Sequence, residues 1–270
     1  MVISSKPVLS AYAVVLAVLA IWATAIAAEP VAPPPDYTAV YKVLRNDREL
    51  AAVTIELSHS QDVWKLHGFS HDTRGLAKFL NIKGSQTTVG TWLDGRFRPD
   101  SYSYAFSLIG VKQNWRAIFD WQTNTLELQD KKHKTRLPLD GFIDDPFSLS
   151  LNLMILLITE QPEITARIVD EDKIETHIYT TEPRVKIETP LGCLATTLVT
   201  RMRENKKRVS LAWHAQNHHF VPVKMLHKNK KGTRLELLIT ALEIDGKPLI
   251  PTTACDDQPE SGKSVRNPSA

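Results

Sequence analysis

The sequence predicts an all-β-dominated fold: one curved antiparallel sheet, a half-barrel or open barrel of about twelve strands, with one buried helix on its concave face. Three observations carry that expectation. Apolar and polar residues alternate with period two through most of residues 37–250. Turn chemistry interrupts the alternation roughly every ten residues. One apolar run of helical length, residues 147–158, breaks it in mid-chain.

Composition sets the outer limits. The 270 residues are 43% hydrophobic and 23% charged, enough to bury a core and unlike a disordered chain. A formal net charge of +3 is too even for bulk attraction to nucleic acid, so no nucleic-acid partner is expected. Sixteen Pro and eleven Gly without a period exclude a collagen-like or low-complexity chain.

The first residues address the chain. Lys6 precedes an uncharged, mostly apolar stretch, residues 8–28, that ends on Ala25-Ile26-Ala27. Residues 1–28 therefore read as a secretory signal peptide, and the body as periplasmic or secreted. The competing reading is an uncleaved inner-membrane anchor, because the uncharged run just reaches spanning length. Residues 29–36 form a leader stiffened by Pro33-Pro34-Pro35.

From Tyr37 each element follows from alternation. Tyr37, Ala39, Tyr41 and Val43 share one face, Asn46-Asp47 turns the chain, and Ala51, Val53, Ile55 and Leu57 mark the return. A strand from Val63 to Ser70 precedes a short irregular or helical stretch, Thr73 to Leu80. Gln86 to Leu93 then ends on the hairpin signal Asp94-Gly95. Tyr102 to Leu108 and Val111 to Trp121 form the clearest pair, followed by short strands at 126–128 and 135–139.

Asp144-Asp145-Pro146 then has helix-start chemistry, with Asp at the N-cap and Pro at N1. The run from Phe147 to Ile158 is apolar nearly all round, which asks for burial on most sides; a buried strand is the alternative. Beyond Pro162 seven strands follow, with Lys173 to Tyr179 and Arg184 to Glu188 read as two of them. The domain spans residues 37–250, and residues 251–270, rich in Pro, Asp and Ser, read as a disordered tail.

The aromatic stripe is the best functional clue. Tyr102, Tyr104 and Phe106, with Trp115, Phe119 and Trp121 on the following strand, can stack on one sheet face. Core packing explains such a stripe. The sharper reading is a cavity for a lipid-like or acyl ligand, with Leu151, Met154 and Ile155 of the helix, beside Phe147 and Ile158, as its lid. Lys206, Lys207, Arg208, Lys228, Lys230 and Lys231 sit at hairpin tips, where they are solvated or meet phosphate headgroups.

Catalytic and metal signals are weak. Among nine His, the group His214, His218, His219 and His227 lacks convergent spacing, so no metal is expected. Ser70-His71-Asp72 are sequence neighbours, whereas triads assemble from distant segments, and no G-x-S-x-G occurs. Asp144-Asp145 is a candidate acid/base pair, but helix capping accounts for it. No phosphate loop or dinucleotide fingerprint appears, so no cofactor is expected. The two Cys, Cys193 and Cys255, are either a disulfide or two unrelated thiols.

The order of features carries a resemblance. The chain contains YTAVYKVLRNDRELAAVTIEL, RGLAKFLNIKG and LDGRFRPDSYSY. The specific pieces are D-G-x-x-x-P (Asp94, Gly95, Pro99), F-D-W (Phe119 to Trp121) and D-P-x-S-L (Asp145 to Leu149). E-T-P-L-G (Glu188 to Gly192) and W-x-A…V-P-V-K (Trp213 to Lys224) complete the set. Across Tyr37 to Glu243 this resembles the exported bacterial family catalogued as domain of unknown function 3108. More distantly, the layout is similar to periplasmic lipoprotein-carrier half-barrels, which hold acyl chains between a concave sheet and a helical lid. Neither resemblance brings catalytic residues. The expectation is a non-catalytic envelope protein that binds a lipid or lipoprotein acyl chain. The alternatives are an envelope structural or interaction protein with a protein partner and no cavity, and a hydrolase acting on envelope glycan or lipid.

Overall fold

The computed structural model describes residues 32–71, 83–108, 111–130, 133–170 and 172–255. The signal segment 1–28, the Thr73–Leu80 stretch and residues 256–270 lie outside the described residues.

Alternation becomes strand pairing along nearly the whole unit. The first half contributes β1 (Tyr37–Arg45), β2 (Arg48–Ser60), β3 (Val63–His71), β4 (Lys83–Leu93), β5 (Arg96–Leu108), β6 (Val111–Asp120), β7 (Thr125–Gln129) and β8 (Lys134–Pro138). After the helix α1 (Pro146–Leu156) come β9 (Glu163–Asp170), β10 (Lys173–Thr189), β11 (Gly192–Arg201) and β12 (Val209–Ala215). The last three are β13 (Pro222–Lys228), β14 (Arg234–Ile244) and β15 (Lys247–Pro248). All fifteen join one curved antiparallel sheet that does not close, in the order β8-β7-β6-β5-β4-β3-β2-β1-β14-β13-β12-β11-β10-β9, with β15 on β14.

That order has one non-sequential neighbour pair, β1 with β14, which joins two meanders. It also puts β8 and β9, consecutive in the chain, at opposite edges. The segment between them, residues 139–162, must therefore cross the open side of the sheet. It does so as α1.

Turn chemistry works as read. Asn46-Asp47 (φ 48° and 66°) and Asp94-Gly95 (φ 52° and 71°) place both central residues in the left-handed region, as tight hairpins require.

Among the described residues the sheet has fifteen strands rather than about twelve, and one division made from the sequence disappears. Lys173–Thr189 is a single strand running through Pro183. A bulge between Glu182 and Val185, with Arg184 at φ 64°, absorbs the proline. The β9 pairing stops at Thr180, so no ladder bond to β9 is lost there.

The helix starts where its cap chemistry puts it. The Asp145 carboxylate accepts from the N–H groups of Phe147 (2.7 Å) and Ser148 (3.1 Å), and the Asp145 N–H donates to Ser148 Oγ at 2.9 Å. This capping box, with Pro146 at N1, excludes the strand alternative. After Leu156 the chain tightens into a 3-10 turn, Leu157–Thr159, so the helix stops short of Ile158.

The missing polar face of α1 is explained by burial on two sides. Leu151, Met154 and Ile155 join Tyr41, Trp64, Leu66 and Phe97 in the main core. Leu149, Leu153 and Leu157 pack with Ile164, Ala166, Tyr179 and Val199 from β9–β11. Gly90 is required in this core: a Cβ there would stand 2.1 Å from the Arg98 carbonyl oxygen and 2.5 Å from the Trp64 ring.

Cys193 and Cys255 form a disulfide, with Cα atoms 4.7 Å apart. Residues 251–255, assigned to the tail by composition, lie along β11. Thr252 N–H donates to Leu191 O (2.9 Å) and Cys193 N–H to Thr253 O (3.0 Å).

Candidate ligand-binding site

The site begins with the aromatic strand pair. Pairing of Tyr102 with Ala117 and of Tyr104 with Trp115 puts these residues on one face. Tyr102 and Phe119 are buried in a second core cluster, and Tyr104, Trp115 and Trp121 pack against it half-buried. The Tyr102 and Trp115 ring centroids are 4.7 Å apart, and Phe119 stacks on Trp121 at 6.0 Å. Polar tips are satisfied: Trp121 Nε1 donates to Pro99 O (2.7 Å) and Tyr102 Oη to Gln86 Oε1 (3.0 Å). Phe106 shares their side by register but stands outside the cluster, beside Gly84.

The helix residues go elsewhere. Leu151, Met154 and Ile155 belong to the cluster built on Tyr41, Trp64 and Phe97, and the aromatic cluster contains no residue of α1. The aromatic face is covered instead by Val169 of β9 and Ile174 of β10, together with Leu139 and Ile143 of the crossing segment. Val169 and Ile174 come from the far edge of the sheet. The crossing segment is tied to that edge by Asp144 N–H to Arg167 O (2.9 Å) and Val169 N–H to Asp144 O (2.8 Å). Arg167 adds a salt bridge to Asp140 at 2.8 Å. Side chains and one strap thus fill the seam that main-chain pairing leaves open.

Two cavities adjoin that seam. The first, about 350 Å³, is lined by Tyr104, Trp115, Leu128, His133 and Asp172. The second, about 490 Å³, is a groove beside α1, walled by Phe142, Ile155, Leu156, Ile164 and Ala166. Arg96 and Arg167 flank it, and the Arg96 guanidinium sits 5.1 Å from the Phe142 ring centroid. Both volumes lie in the range of small-molecule sites. Of the lining expected from sequence, Tyr104 and Trp115 face the first cavity and Ile155 the second.

Asp144 and Asn152 reach the wall of the groove. One Asp144 oxygen accepts from Ser148 Oγ (2.8 Å) and Asn152 Nδ2 (2.7 Å). Burial raises the Asp144 pKa to about 7 against those hydrogen bonds, with the neighbouring Asp145 charge adding to the rise. Burial also raises Asp145, while Thr88 Oγ1, donating at 2.8 Å, pulls it down. Both carboxyls thus anchor the helix start. Capping was legible for Asp145, but Asp144 bonds side chains rather than helix N–H groups.

The histidines do not converge. His214 is buried, with Nδ1 2.8 Å from Phe220 O, and burial lowers its pKa to about 4. His218 and His219 occupy the following turn, where His219 has φ 51°. Among the described residues no three His, Cys, Asp or Glu side chains are grouped to hold a metal ion. His71 Nε2 lies 2.8 Å from Thr54 Oγ1, and Asp72 lies outside the described residues. No helix among the described residues is long and apolar enough to cross a membrane.

The family model described as protein of unknown function (DUF3108) matches residues 36–240. No curated protein matches the chain. Among solved structures it is similar to a beta-barrel-like protein of the domain of unknown function DUF1849 from Brucella abortus. That likeness has 9% identity and a TM-score of 0.52, and covers 78% of this chain and 98% of that one. A protein described as exported, with a YmcC-like fold, from Bacteroides fragilis is 5% identical with a TM-score of 0.29, covering 79% of this chain and 98% of that one. A protein described as a lipoprotein from Parabacteroides distasonis is 8% identical with the same TM-score of 0.29, covering 79% and 97%. The first likeness is one of fold alone.

Proposed function

We propose, from the premise that the chain belongs to the DUF3108 family of proteins of unknown function, that it is an exported, non-catalytic binder of an acyl chain or similar amphipathic molecule. The observation that carries this reading is the groove beside α1. It is apolar on Phe142, Ile155, Leu156, Ile164 and Ala166, has basic flanks, and lies between the crossing segment, α1 and the edge strand β9. An acyl chain there would gain about 0.8 kcal/mol per buried CH₂. The export half of the proposal rests on residues 1–28.

The test is native mass spectrometry of the protein expressed with its own N-terminal segment and purified from the periplasm, followed by organic extraction. Co-purifying acyl species, lost in Leu156→Glu with the sheet intact by circular dichroism, are the expected result. A clean apo mass with no uptake of added fatty acid overturns the proposal. That outcome favours an envelope interaction protein, a reading supported by the filled concave core, where Trp64, Tyr41, Phe97, Leu151 and Met154 leave no exposed surface.

A further inference from the structure

The concave side of β10–β12 carries charge where the neighbouring part of that face is apolar. Tyr179 and Val199 pack with Leu149 and Leu153 of α1, so they face the helix. Arg201 stands opposite Tyr179 in the ladder, and His177 and Glu175 follow Tyr179 at two-residue steps. The side chains join in a chain of contacts. Arg201 donates to Glu175 Oε2 (3.4 Å) and lies against His177 Nε2, which is itself 3.1 Å from that carboxylate oxygen. His177 Nδ1 lies 3.2 Å from Tyr179 Oη. Arg203 donates to Ser210 Oγ (3.2 Å), which in turn is 3.1 Å from His227 Nδ1. Arg208 N–H closes the turn on Asn205 O (3.1 Å), which places Arg208 two residues before Ser210.

The charges here do not balance. Glu175 is shared by Lys173 (2.7 Å), His177 (3.1 Å) and Arg201 (3.4 Å). Among the described residues, no carboxylate lies within ion-pair distance of Arg203 or Arg208. The Nε atoms of Arg201 and Arg203 are buried and have no acceptor among the described residues. Burial, then the charges of Arg201 and Arg208, lower the Arg203 pKa. Burial and the same three arginines lower that of His227.

Like charges gathered on a partly desolvated face repel one another, and unpaired donors there are costly. A group with several anionic oxygens removes both penalties, because planar guanidinium forks match phosphate geometry. We infer that Arg201, Arg203 and Arg208, bordered by Ser210 and His227, form a binding site for a phosphate group. None of these residues lines the groove beside α1, so the site stands independently of the acyl reading. A single carboxylate would engage one fork and leave the others unmatched. The phosphate can belong to a free ester or to a lipid headgroup, and both sources share this chemistry.

The test uses the full chain in two arms. In the first, inorganic pyrophosphate is titrated calorimetrically. In the second, the protein is floated with phosphatidylglycerol vesicles and, separately, with phosphatidylcholine vesicles. Arg203→Gln is expected to weaken binding at least about tenfold, whereas Lys206→Gln with Lys207→Gln, at the exposed tip, changes it less than about twofold. Pyrophosphate binding points to a soluble ester. Binding only to phosphatidylglycerol vesicles assigns the phosphate to a headgroup. If Arg203→Gln fails to fold by circular dichroism, the exposed Arg208→Gln carries the same readout. Absence of binding in both arms, or an equal loss in the lysine pair, overturns the site.

Discussion

The Asn152 side chain completes a strand. Its Oδ1 accepts from the Phe97 N–H at 2.9 Å and its Nδ2 donates to the Phe97 carbonyl at 3.0 Å. On β5, pairing with β6 begins only at Ser101, so the outward main-chain groups of Phe97 have no strand neighbour there. A helical amide thus replaces one rung of the ladder while also donating to Asp144 at 2.7 Å. Asn152→Leu strips two buried main-chain groups of their partner and takes one of two donors from an Asp144 oxygen, and should cost about 2–5 kcal/mol in urea unfolding. A loss below about 0.5 kcal/mol would mean that water or a shift of α1 restores those bonds.

That rung marks where the sequence stops being readable. Asp145-Pro146 announced its helix because cap chemistry is local, and period-two spacing put Tyr102, Tyr104, Trp115, Phe119 and Trp121 on one side. Alternation names a face but not the neighbour opposite it. The cover of that face, Val169 and Ile174, follows only from β8 and β9 becoming the two edges. Asn152 carried no signal in the sequence, since its partner lies 55 residues away. Arg201, Arg203 and His177 were equally silent, being spread over separate strands and the turn beyond β11, with no motif spacing.

The disulfide should matter more than its place near the end of the chain suggests. Cys193 and Cys255 are separated by 62 residues, and the enclosed loop contains β11–β15, including the β14 strand that pairs with β1. Loop-closure entropy for that length is about 4 kcal/mol. Replacing both cysteines with serine should lower stability by an amount of that order, and it should also free residues 251–255. Hydrogen exchange at Thr252 and Cys193, whose N–H groups bond to Leu191 and Thr253, reads the second effect. Unchanged protection at both amides would show that main-chain bonds hold this segment without the covalent link.

The buried carboxyl under α1 should give stability a pH dependence of a particular sign. Burial raises Asp144 from 3.8 to about 7, so the folded chain holds that proton more tightly than the unfolded chain. Its contribution to stability is fully present below the unfolded pKa and is lost as pH rises through the folded one. His214 acts in the opposite direction: with its pKa lowered from 6.5 to about 4, its contribution is present above pH 6.5 and lost as pH falls through 4. Comparing Asp144→Asn with the parent protein cancels the His214 share. Asparagine keeps an acceptor for Ser148 and Asn152 but has no proton to lose. In thermal unfolding at pH 5 and pH 7.5, the variant should therefore gain stability relative to the parent at the higher pH. The same difference at both pH values would mean that Asp144 is ionised in the folded protein throughout. Its hydrogen bonds to Ser148 and Asn152 would then outweigh its burial.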